Sequence, residues 1–187
     1  MQREGILLRL FVAILFSDHT LDQLFAACRR LRDCAGRGSF TRRENLHLTL
    51  AFIGESGRED ELCRVLEKLE GEPFPLWVEG FGTFRREGGD ICWLGLRRSE
   101  ALLALHRQLS EGLERAGFPL ERRPFRPHLT LGRQVLLPRG FNPRRFGGEL
   151  PKITERVEAV SLMKSERIDG RLTYTELYRY TLGGAKS

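Results

Sequence analysis

The spacing of apolar positions changes several times along this chain, and each change predicts an element. Ile6–Phe16 is a nearly unbroken apolar run of strand length, as a strand covered on both faces requires. Leu21, Leu24, Phe25, Cys28 and Leu31 then recur at intervals of three and four, the period of a helix with one buried stripe. Thr20 and Gln23 have the spacing of a capping box at its start, and Gly36 suits its end. Leu46–Ile53 reads as a strand stopping at Gly54. Ser56 and Glu59 form a second apparent capping box, opening a helix with Leu62, Val65, Leu66 and Leu69 that halts at Gly71.

Strands are expected at Phe74–Phe84 and Ile91–Arg97, joined by the turn residues Glu87-Gly88-Gly89-Asp90. Ser99 is placed to cap a third helix with Leu102, Leu105, Leu109 and Leu113 inward, closing at Gly117. A strand over about 127–135 follows. Pro, Gly and Arg make 137–151 a loop, and Ile153–Lys164 with Arg171–Leu182 form a closing hairpin around Asp169-Gly170. A helix followed by a His-Leu-Thr-Leu strand occurs once in each half. This order predicts two sheet-and-helix lobes with a cleft between them, and the absence of a low-complexity linker keeps residues 1–187 together as one domain.

Composition narrows the class. An apolar share of 41% and a charged share of 30% in 187 residues describe a globular protein with a full core. The net charge of +6 is carried mostly by arginine, whose planar fork pairs well with phosphate oxygens. Cys28, Cys34, Cys63 and Cys92 show no metal-binding spacing, so zinc is disfavoured and a reducing compartment is expected. The apolar start is interrupted by Arg9, lacks a basic leader because of Glu4, and is too short to span a bilayer. A cytoplasmic protein with no membrane association, no metal and no cofactor is therefore the expectation.

The candidate chemistry lies in the repeat itself. His-Leu-Thr-Leu occurs at His47–Leu50 and at His128–Leu131, 81 residues apart. Composition alone yields about 0.4 His-x-[Ser/Thr] in such a chain. On a strand, residues two apart share a face, so His47 with Thr49, and His128 with Thr130, point one way while the leucines enter the core. Thr donates a hydroxyl hydrogen bond, and imidazole exchanges a proton near neutrality. One neutral and one protonated imidazole on opposite sides of a phosphorus atom form a base and an acid for in-line displacement. A lone His-x-Thr is ordinarily a half-buried strand pair; two copies in matching contexts point to a site. His19 and His106 look like surface residues and receive no role.

These motifs resemble those of the two-histidine (2H) phosphoesterase superfamily, most closely its bacterial and archaeal RNA 2′,3′-cyclic phosphodiesterases (LigT-like, once called 2′-5′ RNA ligases). Residues 9–14, 44–54 and 125–133, and 161–165 followed by Tyr174, carry the likeness. It implies an α+β bilobal fold, two antiparallel-sheet-plus-helix lobes related by a pseudo-twofold axis, with both motifs lining a central groove. It also implies metal-independent opening of a 2′,3′-cyclic phosphate to a 2′-phosphomonoester, with His47 as acid and His128 as base, an order the symmetric motifs do not themselves fix. The implied substrates are RNA 3′ ends or cyclic nucleotides, bound by a monomer. Ser39-Phe40-Thr41-Arg42-Arg43 departs from the tryptophan- and proline-containing stretch of such relatives, and so bears on substrate grip.

Some readings stay open at this level. Arg133 matches the arginine that follows the family's second motif, yet in an ideal strand it points away from His128 and Thr130 and needs a bulge to reach phosphate. Phe11 shares a strand face with Arg9, suited either to stacking on a base or to the core. Arg139, Arg144 and Arg145 with Phe141 and Phe146 mix charge and rings as single-strand RNA binders do, or form a solvated loop. A nucleotide- or RNA-binding module without turnover and 2′-5′ ligation by the reverse reaction are the alternatives. No P-loop is present to drive the latter.

Overall fold

A computed structural model describes residues 7–184. Its elements are β1 (Leu8–Ile14), α1 (Asp18–Cys34), β2 (Arg37–Phe40), β3 (Leu48–Ser56), α2 (Glu59–Leu66), β4 (Phe74–Phe84) and β5 (Asp90–Leu96). There follow α3 (Glu100–Arg115), β6 (His128–Leu136), α4 (Pro143–Gly148), β7 (Ile153–Val157), β8 (Ala159–Ile168) and β9 (Arg171–Thr181). The class is α+β. One antiparallel sheet runs β3-β1-β8-β9 and the other β2-β6-β5-β4-β7.

The sheets are built alike. In each, a strand leads through a long helix to an antiparallel neighbour bearing a His-Leu-Thr-Leu motif: β1-α1-β3 in one, β5-α3-β6 in the other. A further helix, α2 or α4, follows each motif strand. Beyond β1 lie β8 and β9; beyond β5 lie β4 and β7. The short β2 is the addition that breaks the match.

Packing explains the sequence patterns. Leu10, Val12 and Ile14 of β1 enter the main core, whereas Phe11 and Ala13 form a second cluster with Met163 on the opposite face. With both faces covered, β1 reads as a continuous apolar run; Ile6, expected at its start, lies outside the described residues. The helices reach across the molecule: α1 contacts β2, β6 and β7, and α3 contacts β3. Their inward rows, Leu24, Ala27, Cys28 and Leu31 on α1 and Leu102, Leu105, Leu109 and Leu113 on α3, belong to one core shared by both sheets.

Several expectations are corrected. The α1 cap is Ser17, whose Oγ accepts the Thr20 N–H at 3.4 Å, so Thr20 sits inside the first turn. Ser56 ends β3 and accepts the Arg58 N–H, while Arg58 is the α2 N-cap. The segment 137–151 contains α4, capped by Asn142 with Pro143 in its first turn, and buries Phe146 against Phe81. The run Ile153–Lys164 is two strands. It breaks at Glu158, and β7 pairs with β4 in one sheet whereas β8 pairs with β1 in the other. Apolar periodicity records that a stretch is a strand but not which sheet it joins.

Candidate active site

Each motif strand carries a bulge at the same place. In β3 the ladder passes from Ala13↔Thr49 to Val12↔Ala51, skipping Leu50; in β6 it passes from Trp93↔Thr130 to Cys92↔Gly132, skipping Leu131. Leu131 and Gly132 are consequently both buried, and Arg133 emerges exposed on the side of Thr130. The equivalent residue of β3 is Phe52, also exposed. The bulge thus resolves the orientation of Arg133, which an ideal strand would turn away from the site.

The two imidazoles are held in the same way. His47 Nδ1 lies 2.7 Å from the Asn45 carbonyl oxygen, and His128 Nδ1 lies 2.7 Å from that of Arg126. A carbonyl only accepts, so Nδ1 carries the proton in both and Nε2 is left for chemistry. His47 Nε2 accepts from the Thr49 hydroxyl at 2.9 Å. An aromatic ring stands edge-on to each imidazole at 89°: Tyr174 on His47, with centroids 5.1 Å apart, and Phe84 on His128, at 5.2 Å. Trp93 also flanks His128.

Electrostatics tie these groups together. The His47 pKa lies below the ordinary imidazole value, chiefly because burial disfavours the cation. The Asn45 hydrogen bond opposes that shift, while the charges of Arg133 and His128 add to it, so both approach His47 across the two sheets. Burial raises the Tyr174 pKa, and Arg133 and Arg9 pull it down. Arg133 therefore faces the first motif from the second.

Phe11 has a different place from the base-stacking role considered for it. It is 1% exposed and packs against His47, Phe52 and Tyr174, supporting the imidazole from beneath. The solvent-facing ring of this cluster is Phe52, 46% exposed, with the Arg9 guanidinium 5.9 Å from its centroid. Thr41 was not singled out by its own chemistry, yet its hydroxyl donates to the Thr130 carbonyl at 2.8 Å and anchors the second motif. Asn45 Nδ2 donates to the Leu172 carbonyl at 2.9 Å, tying the first motif to the β8–β9 hairpin. The shared offset of Asn45 and Arg126, each two residues before its His, was the one available signal for the anchors. Among the described residues, no three His, Cys, Asp or Glu side chains cluster as metal ligands. No helix there is long and apolar enough to cross a membrane.

Two matched antiparallel sheets, each presenting a His-x-Thr motif, define a 2H phosphoesterase architecture. The chain belongs to the 2′-5′ RNA ligase superfamily, whose family model matches residues 20–169. It is 34% identical to an RNA 2′,3′-cyclic phosphodiesterase of Archaeoglobus fulgidus over 88% of this chain and 89% of that protein. A protein of the same name from Methanothermobacter thermautotrophicus is 33% identical, with 93% of this chain and 98% of that one covered. The crystal structure of Escherichia coli LigT complexed with 3′-AMP superposes with a TM-score of 0.78 at 30% identity, covering 95% of this chain and 99% of that chain.

Proposed function

We propose that the protein hydrolyses 2′,3′-cyclic phosphates at RNA 3′ ends or on nucleotides, leaving a 2′-phosphomonoester, with His47 and His128 as the proton carriers. The observation that carries this reading is the paired anchoring of Nδ1 at 2.7 Å, which turns Nε2 of each ring to the chemistry, that of His47 beside the Thr49 hydroxyl. The names of the relatives and the binding of 3′-AMP by E. coli LigT support the substrate class.

In this mechanism His128 Nε2 takes a proton from water as its oxygen attacks phosphorus. The P–O3′ bond breaks, and His47 Nε2–H gives its proton to the departing O3′. Thr49, Thr130 and Arg133 hold the equatorial oxygens as charge develops. One observation favours the reverse order: burial, with lesser contributions from Arg133 and His128, disfavours the His47 cation, and a base must be neutral. A bound phosphodiester anion counters those charges and raises the His47 pKa again, which supports the acid role once substrate is seated.

His47→Ala and His128→Ala should each lower kcat by ~10²–10⁴-fold without unfolding the protein, and Thr49→Ala or Thr130→Ala by roughly 10–100-fold. Assays with a 2′,3′-cyclic nucleotide and a chelator test this; near-normal rates in either His variant would refute it. Substrate bearing sulfur in place of O3′ departs without a proton. It should restore turnover to His47→Ala and not to His128→Ala, and the opposite pattern would reverse the roles.

A further inference from the structure

His106 has none of the motif context of His47 and His128, yet it neighbours backbone close to each of them. It sits on α3, one position past the inward Leu105, and α3 contacts β3 of the opposite sheet. Its imidazole approaches the backbone of Leu50, the bulge residue directly after Thr49, and that carbonyl favours the imidazolium. β3 is an edge strand, so one row of its backbone groups has no partner strand. The same ring stacks flat on Phe125, with centroids 3.7 Å apart and planes at 6°. Phe125 belongs to residues 118–127, which form neither helix nor strand. The next residue is Arg126, whose carbonyl holds His128 Nδ1.

We propose that His106 is a positioning residue that sets the separation of the two motifs. A continuous line of contacts runs from Thr49 through the Leu50 carbonyl, the His106 ring, Phe125 and the Arg126 carbonyl to His128. Its first half bears on β3, the strand that begins directly after His47. Its second half adds a stacked ring to a segment without helix or strand, anchored elsewhere by buried Phe118, whose Arg126 carbonyl orients the other imidazole. Displacing a reacting group by about 1 Å can cost on the order of 10²-fold in rate. This role rests on the two-histidine reading above, but it has a readout of its own.

Three variants separate the contacts: His106→Phe keeps a flat ring and loses the N–H donor, His106→Gln keeps a donor and loses the ring, and His106→Ala loses both. With a 2′,3′-cyclic nucleotide, kcat of His106→Ala should fall about 10–100-fold with KM changed less than about twofold, and the Phe and Gln variants should each recover part of the loss. In parallel, imidazole ¹H–¹⁵N spectra should show a slowly exchanging His128 Nδ1–H in the parent protein that is lost in His106→Ala, while the His47 Nδ1–H persists. This signal needs no turnover, so failure of the parent to hydrolyse the substrate would refute the proposed function and still leave the positioning role tested. Should His106→Ala not fold, the Phe and Gln variants carry both measurements. A kcat within twofold of the parent, or a loss shared by kcat and KM with the His128 resonance intact, would overturn the proposal.

Discussion

At the scale of single residues, His47 combines two opposing demands. Its Nδ1–H is satisfied by Asn45, which favours the cation, but burial and the nearby Arg133 and His128 disfavour it more. The His106 pKa is likewise lowered by burial, against the opposing influence of the Leu50 backbone. In the unfolded chain both rings titrate near the ordinary value of about 6.5. Between the folded and unfolded values the unfolded chain binds more protons, so unfolding free energy rises with pH there. The stabilisation is complete above about pH 6.5 and declines as pH drops through the folded pKa values. Denaturant midpoints at pH 7.5 and pH 5 should therefore differ more for the parent than for His47→Gln. An equal difference in both would show that His47 makes no such contribution.

At the scale of elements, the bulges decide what the groove presents. Arg133 is aimed by a second irregularity beside it, Gln134, which has a φ of 51°. The β4–β5 turn braces that point: Gly89 has a φ of 132°, and a Cβ there would lie 2.5 Å from the Gln134 carbonyl carbon. Gly88 also has a positive φ, 80°, but open space around it. Gly89→Ala should cost ~1–3 kcal/mol and weaken inorganic phosphate binding, whereas Gly88→Ala carries strain without the collision and should leave phosphate affinity near the parent's. Thermal melts with a phosphate titration test the pair; equal phosphate affinities would remove the brace from the account. Such bulges explain why the site was only partly legible. The residues His47, Thr49, His128 and Thr130 stand out by repetition, since each His and Thr precede the bulge and alternate regularly. Arg133 lies beyond the skipped Leu131, where counting by twos fails. Tyr174 and Phe84 reach the imidazoles from strands distant in sequence; the family resemblance alone pointed to Tyr174, and nothing local marks Phe84. Long periodic elements such as α1 and α3 were legible, whereas β2, only Arg37–Phe40 with Gly and Ser inside, owes its form to pairing with β6.

At the scale of the whole molecule, interleaved helices make the two sheets share one core, because α1 reaches β6 and α3 reaches β3. Trp77 and Trp93 both lie in the sheet containing β4 and β5, so tryptophan fluorescence reports one sheet while far-UV circular dichroism reports both. Melting followed by the two signals should give a single coincident transition; separate midpoints would mean that the sheets unfold independently. The near-repetition of the sheets has one broken correspondence that bears on chemistry. Position 52 is an aromatic ring and its counterpart, position 133, is a guanidinium. A five-membered cyclic diester is itself almost mirror-related about its phosphorus, and a perfectly duplicated groove would accept it either way round with equal ease. In the proposed reaction, an apolar wall on one side and a cation on the other would abolish that indifference, giving the cleft a polarity by which the two ester oxygens become distinguishable and ring opening regioselective.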